Sequence, residues 1–209
     1  MKTTNIFKTA MVMAILLPVL ANAQVSFGTR HGLTLSTFSK AGDLYDNDHF
    51  TYSYTGGIFA SVPLNNSLSV VPELNYLRKG RTDEKDIVGT GSVTTVNCHY
   101  LQLPVMARYS TSISESGNYK MYLNAGPYSA LMLKSDRTIT ANSETPSAID
   151  DKNGKTFDFG LVLGGGVLVP VSKYQMMLDL RYDMGLNKLD NQPDNYRTKG
   201  LSLSVGIQF

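Results

Sequence analysis

The sequence predicts an all-β fold, a single eight-stranded antiparallel up-and-down transmembrane β-barrel that follows a cleaved N-terminal signal peptide. Three observations support this prediction. Apolar and polar residues alternate through eight segments, the connections between them alternate between short and long, and the polar face carries charges of both signs. A period of two is typical of strands with one apolar face, and alternating turns and long loops are typical of barrels that cross a membrane.

Residues 1–23 predict a signal peptide, which leaves residues 24–209 as one mature barrel domain. Two lysines precede an apolar run at residues 10–20, and small residues at positions 21 and 23 form the pattern that a signal peptidase requires. The apolar run is too short to cross roughly 30 Å of hydrocarbon as a helix. We therefore expect an exported chain rather than one held by a helical anchor.

The composition excludes several classes of protein. The chain has 19 lysines and arginines and 17 aspartates and glutamates, and two of the lysines lie in the signal peptide. The mature chain is therefore formally neutral and shows no basic cluster, so we expect no nucleic-acid partner. Cys98 is the single cysteine, which excludes an internal disulfide, and no Cys/His spacing suggests a structural zinc site.

Eight segments supply the predicted strands, and the last two show the alternation most clearly. Every second residue from Leu201 to Phe209 is apolar, with Ser, Gly or Gln between them. The preceding segment carries Asp179, Arg181 and Asp183 on one face, which cannot form a dry core. Each segment supplies the roughly 9–11 residues of a tilted transmembrane strand. The predicted strands are residues 25–38, 50–62, 68–79, 93–109, 119–135, 157–169, 174–189 and 199–209.

The connections differ in length in a regular way. Residues 63–67 and 170–173 form short turns, and residues 110–118 form an intermediate connection rich in Ser and Gly. Both chain ends fall on the side of these short connections, as an even number of strands requires. The longer polar connections, predicted to be loops on the other side, are residues 39–49, 80–92, 136–156 and 190–198.

Alternation alone leaves two kinds of barrel open. A secreted lipocalin-like carrier turns its apolar face inward around a ligand, whereas a membrane barrel turns it outward against lipid. The polar face here is rich in Gly and Ser, which favours the membrane barrel because an eight-stranded interior has little room. Aromatic residues near the ends of the apolar stripes are candidates for interfacial girdles. They are Phe27, Tyr52, Tyr54, Tyr109, Tyr119, Phe157, Tyr174 and Phe209.

Six charged residues fall on the polar face of the predicted strands, and we expect them to form a polar network in the barrel lumen. Their mixed signs allow them to pair, and a buried network of this kind is acceptable when nearly every member is satisfied. The alternative is a set of solvated surface charges. The six candidate residues are Arg30, Glu73, Arg108, Asp179, Arg181 and Asp183.

No motif of a known catalytic site is present. The sequence lacks GxSxG, HExxH, P-loop and dinucleotide-binding patterns. His49 with Asp43, Asp46 and Asp48 could form a rim site of a membrane-embedded enzyme or a loose calcium site, but the glycine and closing glutamate of a calcium loop are missing. We therefore predict no catalytic, cofactor-binding or metal-binding residue, and the rim enzyme stays an alternative.

Seven short motifs follow one another through the mature chain. They are GTRHGLTLS at residues 28–36, GGIF at 56–59, LSVVPELNYL at 68–77, YLQLP at 100–104, YLNAGP at 122–127, RYDMGL at 181–186 and LSVGIQF at 203–209. In this order they resemble the PorT-like outer-membrane β-barrel family, a branch of the small outer-membrane barrels of Gram-negative bacteria. The resemblance implies location in the outer membrane and insertion by the barrel-assembly machinery, with Phe209 as part of the recognition signal.

The expected function is that of a non-enzymatic outer-membrane barrel with a plugged lumen, in a structural, loop-mediated binding or envelope-assembly role. The resemblance adds secretion, because a few family members are linked to a protein-secretion system, but it does not imply one activity. Expected partners are outer-membrane lipid and other envelope or secretion proteins. The alternatives are the rim enzyme near His49, the secreted lipocalin-like carrier, and a small pore, although the narrow interior predicts no stable conductance.

Overall fold

A computed structural model of the chain describes most of the predicted barrel domain. The described residues are 24–40, 51–87, 90–114, 119–141, 147–150, 157–187 and 196–209. The predicted signal peptide at residues 1–23 lies outside them. Within the described ranges, no helix is long and apolar enough to span a membrane.

The described residues form nine β-strands. Their alternating sequence matches the extended backbone, in which successive side chains point to opposite faces. In chain order the strands are β1 (Ser26–Lys40), β2 (Thr51–Pro63), β3 (Leu68–Ile87), β4 (Thr90–Ser112), β5 (Lys120–Ala141), β6 (Ser147–Asp150), β7 (Phe157–Val171), β8 (Tyr174–Gly185) and β9 (Tyr196–Gln208).

Eight of these strands close into an antiparallel barrel. The ring runs β1-β2-β3-β4-β5-β7-β8-β9, and pairing between β9 and β1 closes it. The short strand β6 stands outside the ring and pairs with residues 136–139 of β5. The predicted eight-stranded barrel is therefore confirmed, and β6 is an additional strand within the connection that the sequence predicted as the loop 136–156.

Three of the barrel strands, β3, β4 and β5, are longer than predicted by five residues or more. The segment predicted as a loop at residues 80–92 is mostly a hairpin, in which β3 and β4 stay paired from Gly80 opposite Asn97 to Ile87 opposite Thr90. Polar residues dominate this stretch of sequence, so it lacks the alternation that reveals a strand with one apolar face. The outer part of β5 continues alongside β4 as far as Ala141.

These extensions form what we call the projecting sheet. It consists of residues 80–87 of β3, 90–97 of β4, 136–141 of β5 and 147–150 of β6. The sheet continues beyond the last described pair between β2 and β3, which joins Thr55 and Leu77. It therefore extends the barrel wall on the side opposite the short turns.

The side chains of the barrel wall alternate between lipid and lumen. Leu123, Leu163 and Leu203 are more than half exposed, whereas Asp179 and Arg181 are buried. An apolar outer face with a polar interior is the arrangement of a membrane barrel and the reverse of a lipocalin-like carrier. All eight candidate girdle aromatics are exposed, namely Phe27, Tyr52, Tyr54, Tyr109, Tyr119, Phe157, Tyr174 and Phe209.

Short connections and both ends of the domain meet at one end of the barrel. This end holds the turns at residues 64–67 and 172–173. The backbone groups of Phe27 and Phe209 exchange hydrogen bonds of 3.0 and 2.8 Å beside them. Short turns of outer-membrane barrels face the periplasm, so we call this end the periplasmic mouth and the opposite end distal.

Candidate functional site in the barrel lumen

The six charged residues singled out in the sequence are all buried. Their exposed fractions range from 0% for Asp179 to 7% for Asp183. They lie on four strands of the ring, so their mutual contacts depend on how the strands pair around the barrel. These residues are Arg30 on β1, Glu73 on β3, Arg108 on β4, and Asp179, Arg181 and Asp183 on β8.

Four of the six residues are in contact and form what we call the central cluster: Arg30, Glu73, Asp179 and Arg181. Arg181 donates through Nη1 and Nη2 to the two carboxylate oxygens of Glu73, at 2.6 and 2.9 Å. Arg181 Nε also donates to Asp179 Oδ1. Arg30 Nη1 lies 3.5 Å from both Glu73 Oε2 and Asp179 Oδ1. Bidentate arginine–carboxylate pairs are strong and directional, so this arrangement fixes the relative positions of β1, β3 and β8.

Neutral side chains complete the central cluster. Asn75 Nδ2 donates to Glu73 Oε2 at 3.0 Å, and the Tyr122 hydroxyl donates to Asp179 Oδ2 at 2.6 Å. Gly166 gives the tyrosine its room, because a Cβ atom at this position would lie 2.6 Å from the Tyr122 hydroxyl oxygen. The small residues on the polar face therefore leave space for large side chains from neighbouring strands.

A second group of buried polar residues lies toward the distal end, and we call it the distal cluster. Asp158 Oδ2 accepts hydrogen bonds from Lys79 Nζ at 3.3 Å, the Tyr128 hydroxyl at 3.0 Å and Thr198 Oγ1 at 3.2 Å. Lys79 Nζ also lies 5.0 Å from the Tyr128 ring centroid and 5.5 Å from that of Tyr100. Cation–π contacts of this kind stabilise a desolvated ammonium group.

The sequence analysis missed Lys79 and Asp158. Lys79 is the last residue of its predicted strand and Asp158 the second residue of another, so neither was included among the inward charges. The signal was nevertheless present. Lys79 keeps the period of two with Glu73, and Asp158 keeps it with Gly160.

The other two predicted residues lie apart from the central cluster. The Arg108 guanidinium carbon is 4.4 Å from the Tyr122 ring centroid and 5.7 Å from that of Phe59. Asp183 Oδ2 accepts a hydrogen bond from Gln102 Nε2 at 3.5 Å. The structure thus brings four of the six residues together and places Arg108 among aromatic rings, nearer the periplasmic mouth.

The lumen also contains apolar side chains that the sequence analysis did not expect. Val71 and Met177 each lie one inward position closer to the mouth than a carboxylate of the central cluster. Both are buried together with Leu168 and Met106. Both residues fall at inward positions of their strands. An apolar residue among the polar inward positions could therefore have revealed this layer from the sequence. The interior is therefore layered, with an apolar layer between the central cluster and the mouth.

The three histidines lie on the outer wall of the barrel or outside the described residues. His31 and His99 each place Nδ1 2.6 Å from a tyrosine hydroxyl, and His99 Nε2 lies 3.5 Å from Asp136 Oδ2. Beyond the lipid-facing band, the hydrogen bond from Lys134 lowers the pKa of the Asp136 carboxyl. No group of three or more His, Cys, Asp and Glu within the described residues could hold a metal ion. His49 and its neighbouring aspartates at 43, 46 and 48 lie outside the described ranges.

Among the solved structures compared, one with a TM-score above 0.5 supports the barrel fold. The crystal structure of a major outer membrane protein from Thermus thermophilus has a TM-score of 0.51 and 11% identity, over 88% of this chain and 98% of that chain. Neisserial surface protein A gives a TM-score of 0.46 and 16% identity, over 87% and 95%. The N-terminal β-barrel domain of Pseudomonas aeruginosa OprF gives 0.42 and 14%, over 90% and 98%. At these identities the similarity concerns the fold alone.

The sequence itself identifies the family. No protein with a curated functional description matches it significantly. Residues 20–191, which include most of the described barrel, match the family described as outer membrane protein beta-barrel domain. Together with the apolar outer wall of the closed barrel, this match places the protein in the outer membrane. The chain belongs to the outer membrane protein beta-barrel domain family.

Proposed function

We propose that the protein is a non-enzymatic outer-membrane barrel that binds another envelope or secretion protein through its projecting sheet, while side chains plug its lumen. The observation that carries this proposal is the continuation of β3, β4 and β5 beyond the barrel, with β6 added at one edge. A membrane anchor needs only the barrel. A paired sheet that extends past it offers a surface for recognition.

The projecting sheet has two edges that could accept a further strand. Within the described residues, positions 80–87 of β3 pair with β4 on one side, and β6 pairs with β5 on one side. Unpaired backbone N–H and C=O groups at a sheet edge are a template for a strand from another chain. The proposed mode of binding is therefore strand addition at one of these edges.

The filled lumen favours a protein that binds a partner at its surface over a protein that transports a solute through the barrel. An eight-stranded barrel is only about wide enough for its own side chains, and large buried side chains such as Arg108, Tyr100, Tyr128 and Lys79 occupy the interior. A continuous water path would have to separate the ion pairs of the central cluster. The proposed lumen plug therefore gives the barrel a rigid wall and no stable conductance.

The sequence motifs suggest where to look for the partner. Within its family, we propose that the chain belongs to the PorT-like branch, which its seven motifs between residues 28 and 209 resemble. The link of that branch to secretion makes components of a secretion system the first candidates. On the same grounds Phe209, whose backbone closes the ring against Phe27, would take part in recognition by the assembly machinery.

The test removes the hairpin tip of the projecting sheet from the full-length protein. Residues 81–96 are replaced by Asn-Gly, a favoured two-residue hairpin turn, which joins the cross-strand partners Gly80 and Asn97. We expect the shortened barrel to fold in the outer membrane, because the ring pairs below this point are unchanged. After extraction in mild detergent, envelope proteins that travel with the native chain should be absent from the variant, as native sizing and mass spectrometry would show.

A matched control changes the opposite end of the barrel. Replacing the turn Ser172–Lys173 by Asn-Gly leaves the projecting sheet intact, so this variant should retain every partner of the native protein. If the shortened barrel keeps the same partners, the projecting sheet is not the binding surface. A native chain that runs alone at monomer size would contradict the binding role itself.

A further inference from the structure

The periplasmic mouth contains a polar cavity that the proposed function does not use. Its volume is about 140 Å³, well above the roughly 10–15 Å³ that a single water needs. Ser, Asn and Gln side chains from the turns and strand ends supply most of its wall. Two cations, Arg108 and Lys120, also line it, and the described residues place no carboxylate in its wall. A concave site with this lining favours a negatively charged occupant.

Arg108 is the unusual member of this lining. It is only 2% exposed, and its Nε and Nη2 atoms have no hydrogen-bond partner among the described residues. Buried donors in native proteins are nearly always satisfied. The rings of Tyr122 and Phe59 lie beside the guanidinium group, and the Tyr122 hydroxyl is hydrogen-bonded to Asp179. Both atoms are closed off from water in this structure, so an anion in the cavity would satisfy them once the guanidinium group turns toward it.

The position of the charges along the lumen points the same way, although the eight buried charged side chains of the described residues sum to zero. In the central cluster two arginines face two carboxylates. Asp158 is engaged by Lys79 in the distal cluster, and Asp183 contacts Gln102. Arg108 and Lys120 thus lie on the mouth side, where none of the described lining residues carries a carboxylate. A small anion in the cavity would compensate them.

We propose that the periplasmic mouth binds a small oxyanion of the phosphate or carboxylate class. Arg108 would donate at the inner end of the cavity and Lys120 at its rim, in charge-assisted hydrogen bonds. The hydroxyl and amide groups of Ser69, Ser110 and Gln175, which line the same cavity, can donate to the remaining oxygens. The site would bind anions from the periplasm, and it does not depend on the projecting sheet.

The test uses the folded mature protein in a non-ionic detergent free of phosphate. Inorganic phosphate or acetate is titrated at constant ionic strength against chloride, and the midpoint of heat unfolding is followed. We expect a saturable rise of the midpoint with at least one of the two anions, because an anion that binds only the folded barrel stabilises it by mass action. Lys120→Gln should weaken the apparent affinity about two- to fivefold, as for a partly exposed ion pair.

Lys173→Gln provides the matched control. Lys173 lies at the same end of the barrel, beside the Tyr174 ring and outside the cavity wall, so its loss should leave the affinity unchanged. Arg108→Gln should weaken binding more than about tenfold, as for a hydrogen bond to a charged group. If that variant does not fold, the Nε–H resonance of Arg108 in the native protein should still shift saturably with the anion. Equal stabilisation by chloride, or equal loss in Lys173→Gln and Lys120→Gln, would overturn the proposal.

Discussion

The central and distal clusters hold buried charge in different ways. In the central cluster four charged groups are in mutual contact, and each carboxylate faces two guanidinium groups. In the distal cluster a single ion pair, Lys79 with Asp158, shares its contacts with two hydroxyl groups and two aromatic rings. The comparison suggests that the cost of a substitution depends on whether neighbouring hydroxyl groups and aromatic rings still stabilise the charge that it leaves unpaired.

The largest effect is expected for Glu73→Gln in the central cluster. Glutamine keeps the shape and an acceptor oxygen, but it leaves Arg30 and Arg181 facing Asp179 alone. Removing one partner of a buried ion pair leaves an uncompensated charge, so the free energy of unfolding should fall by about 3–5 kcal/mol. Urea unfolding of the barrel in lipid vesicles measures this loss through tyrosine fluorescence, which is accessible because the chain has no tryptophan.

A double variant separates charge balance from the loss of contacts. Adding Arg30→Gln to Glu73→Gln leaves one arginine and one aspartate in the central cluster. We expect the double variant to lose less stability than the sum of the two single variants, because the second change removes the excess charge. Strictly additive losses would show that the cluster acts as independent hydrogen bonds.

The central cluster shows which features of the lumen can be predicted from the sequence alone and which cannot. The period of two places Arg30, Glu73 and Arg181 on one face of their strands, and the confirmed ring follows from eight such segments. The contacts between them do not follow, because Arg181 and Glu73 lie 108 positions apart in sequence and meet only through ring closure and the stagger between strands. Their role as a lumen plug stays a prediction.

Local irregularity limits the prediction in the distal half of the barrel. In β5, Leu133 is an extra residue opposite the pair His99 and Tyr100, and such a bulge reverses the inward phase of everything that follows. The inward side chain is therefore Ala130 before the bulge and Ser135 after it. A strict alternation drawn through the whole segment assigns the outer part of the strand to the wrong face.

A smaller loss is expected for Asp158→Asn in the distal cluster. Lys79 loses its carboxylate but keeps the hydroxyl oxygens of Tyr128 and Thr198 as acceptors at 3.4 and 3.3 Å. We expect the free energy of unfolding to fall by about 1.5–3 kcal/mol, the range for hydrogen bonds to charged groups. Thr198→Val, which removes one neutral hydroxyl group and keeps the ion pair, should cost less in the same urea measurement. A loss in Asp158→Asn equal to that in Glu73→Gln would remove the distinction between the clusters.

The smallest effect is expected for Asp183→Asn, although Asp183 is as inward as its neighbours on β8. Its carboxylate contacts one neutral group, Gln102, at a distance of 3.5 Å near the limit for a hydrogen bond. Asparagine keeps that acceptor and no longer needs to bury a charge, while it loses only attraction to more distant arginines. These two terms oppose each other, so the free energy of unfolding should change by no more than about 1 kcal/mol. A loss as large as that of Glu73→Gln would mean that the arginines of the central cluster attract Asp183 strongly without direct contact. In that case the residues of the cluster could not be identified from contact distances alone.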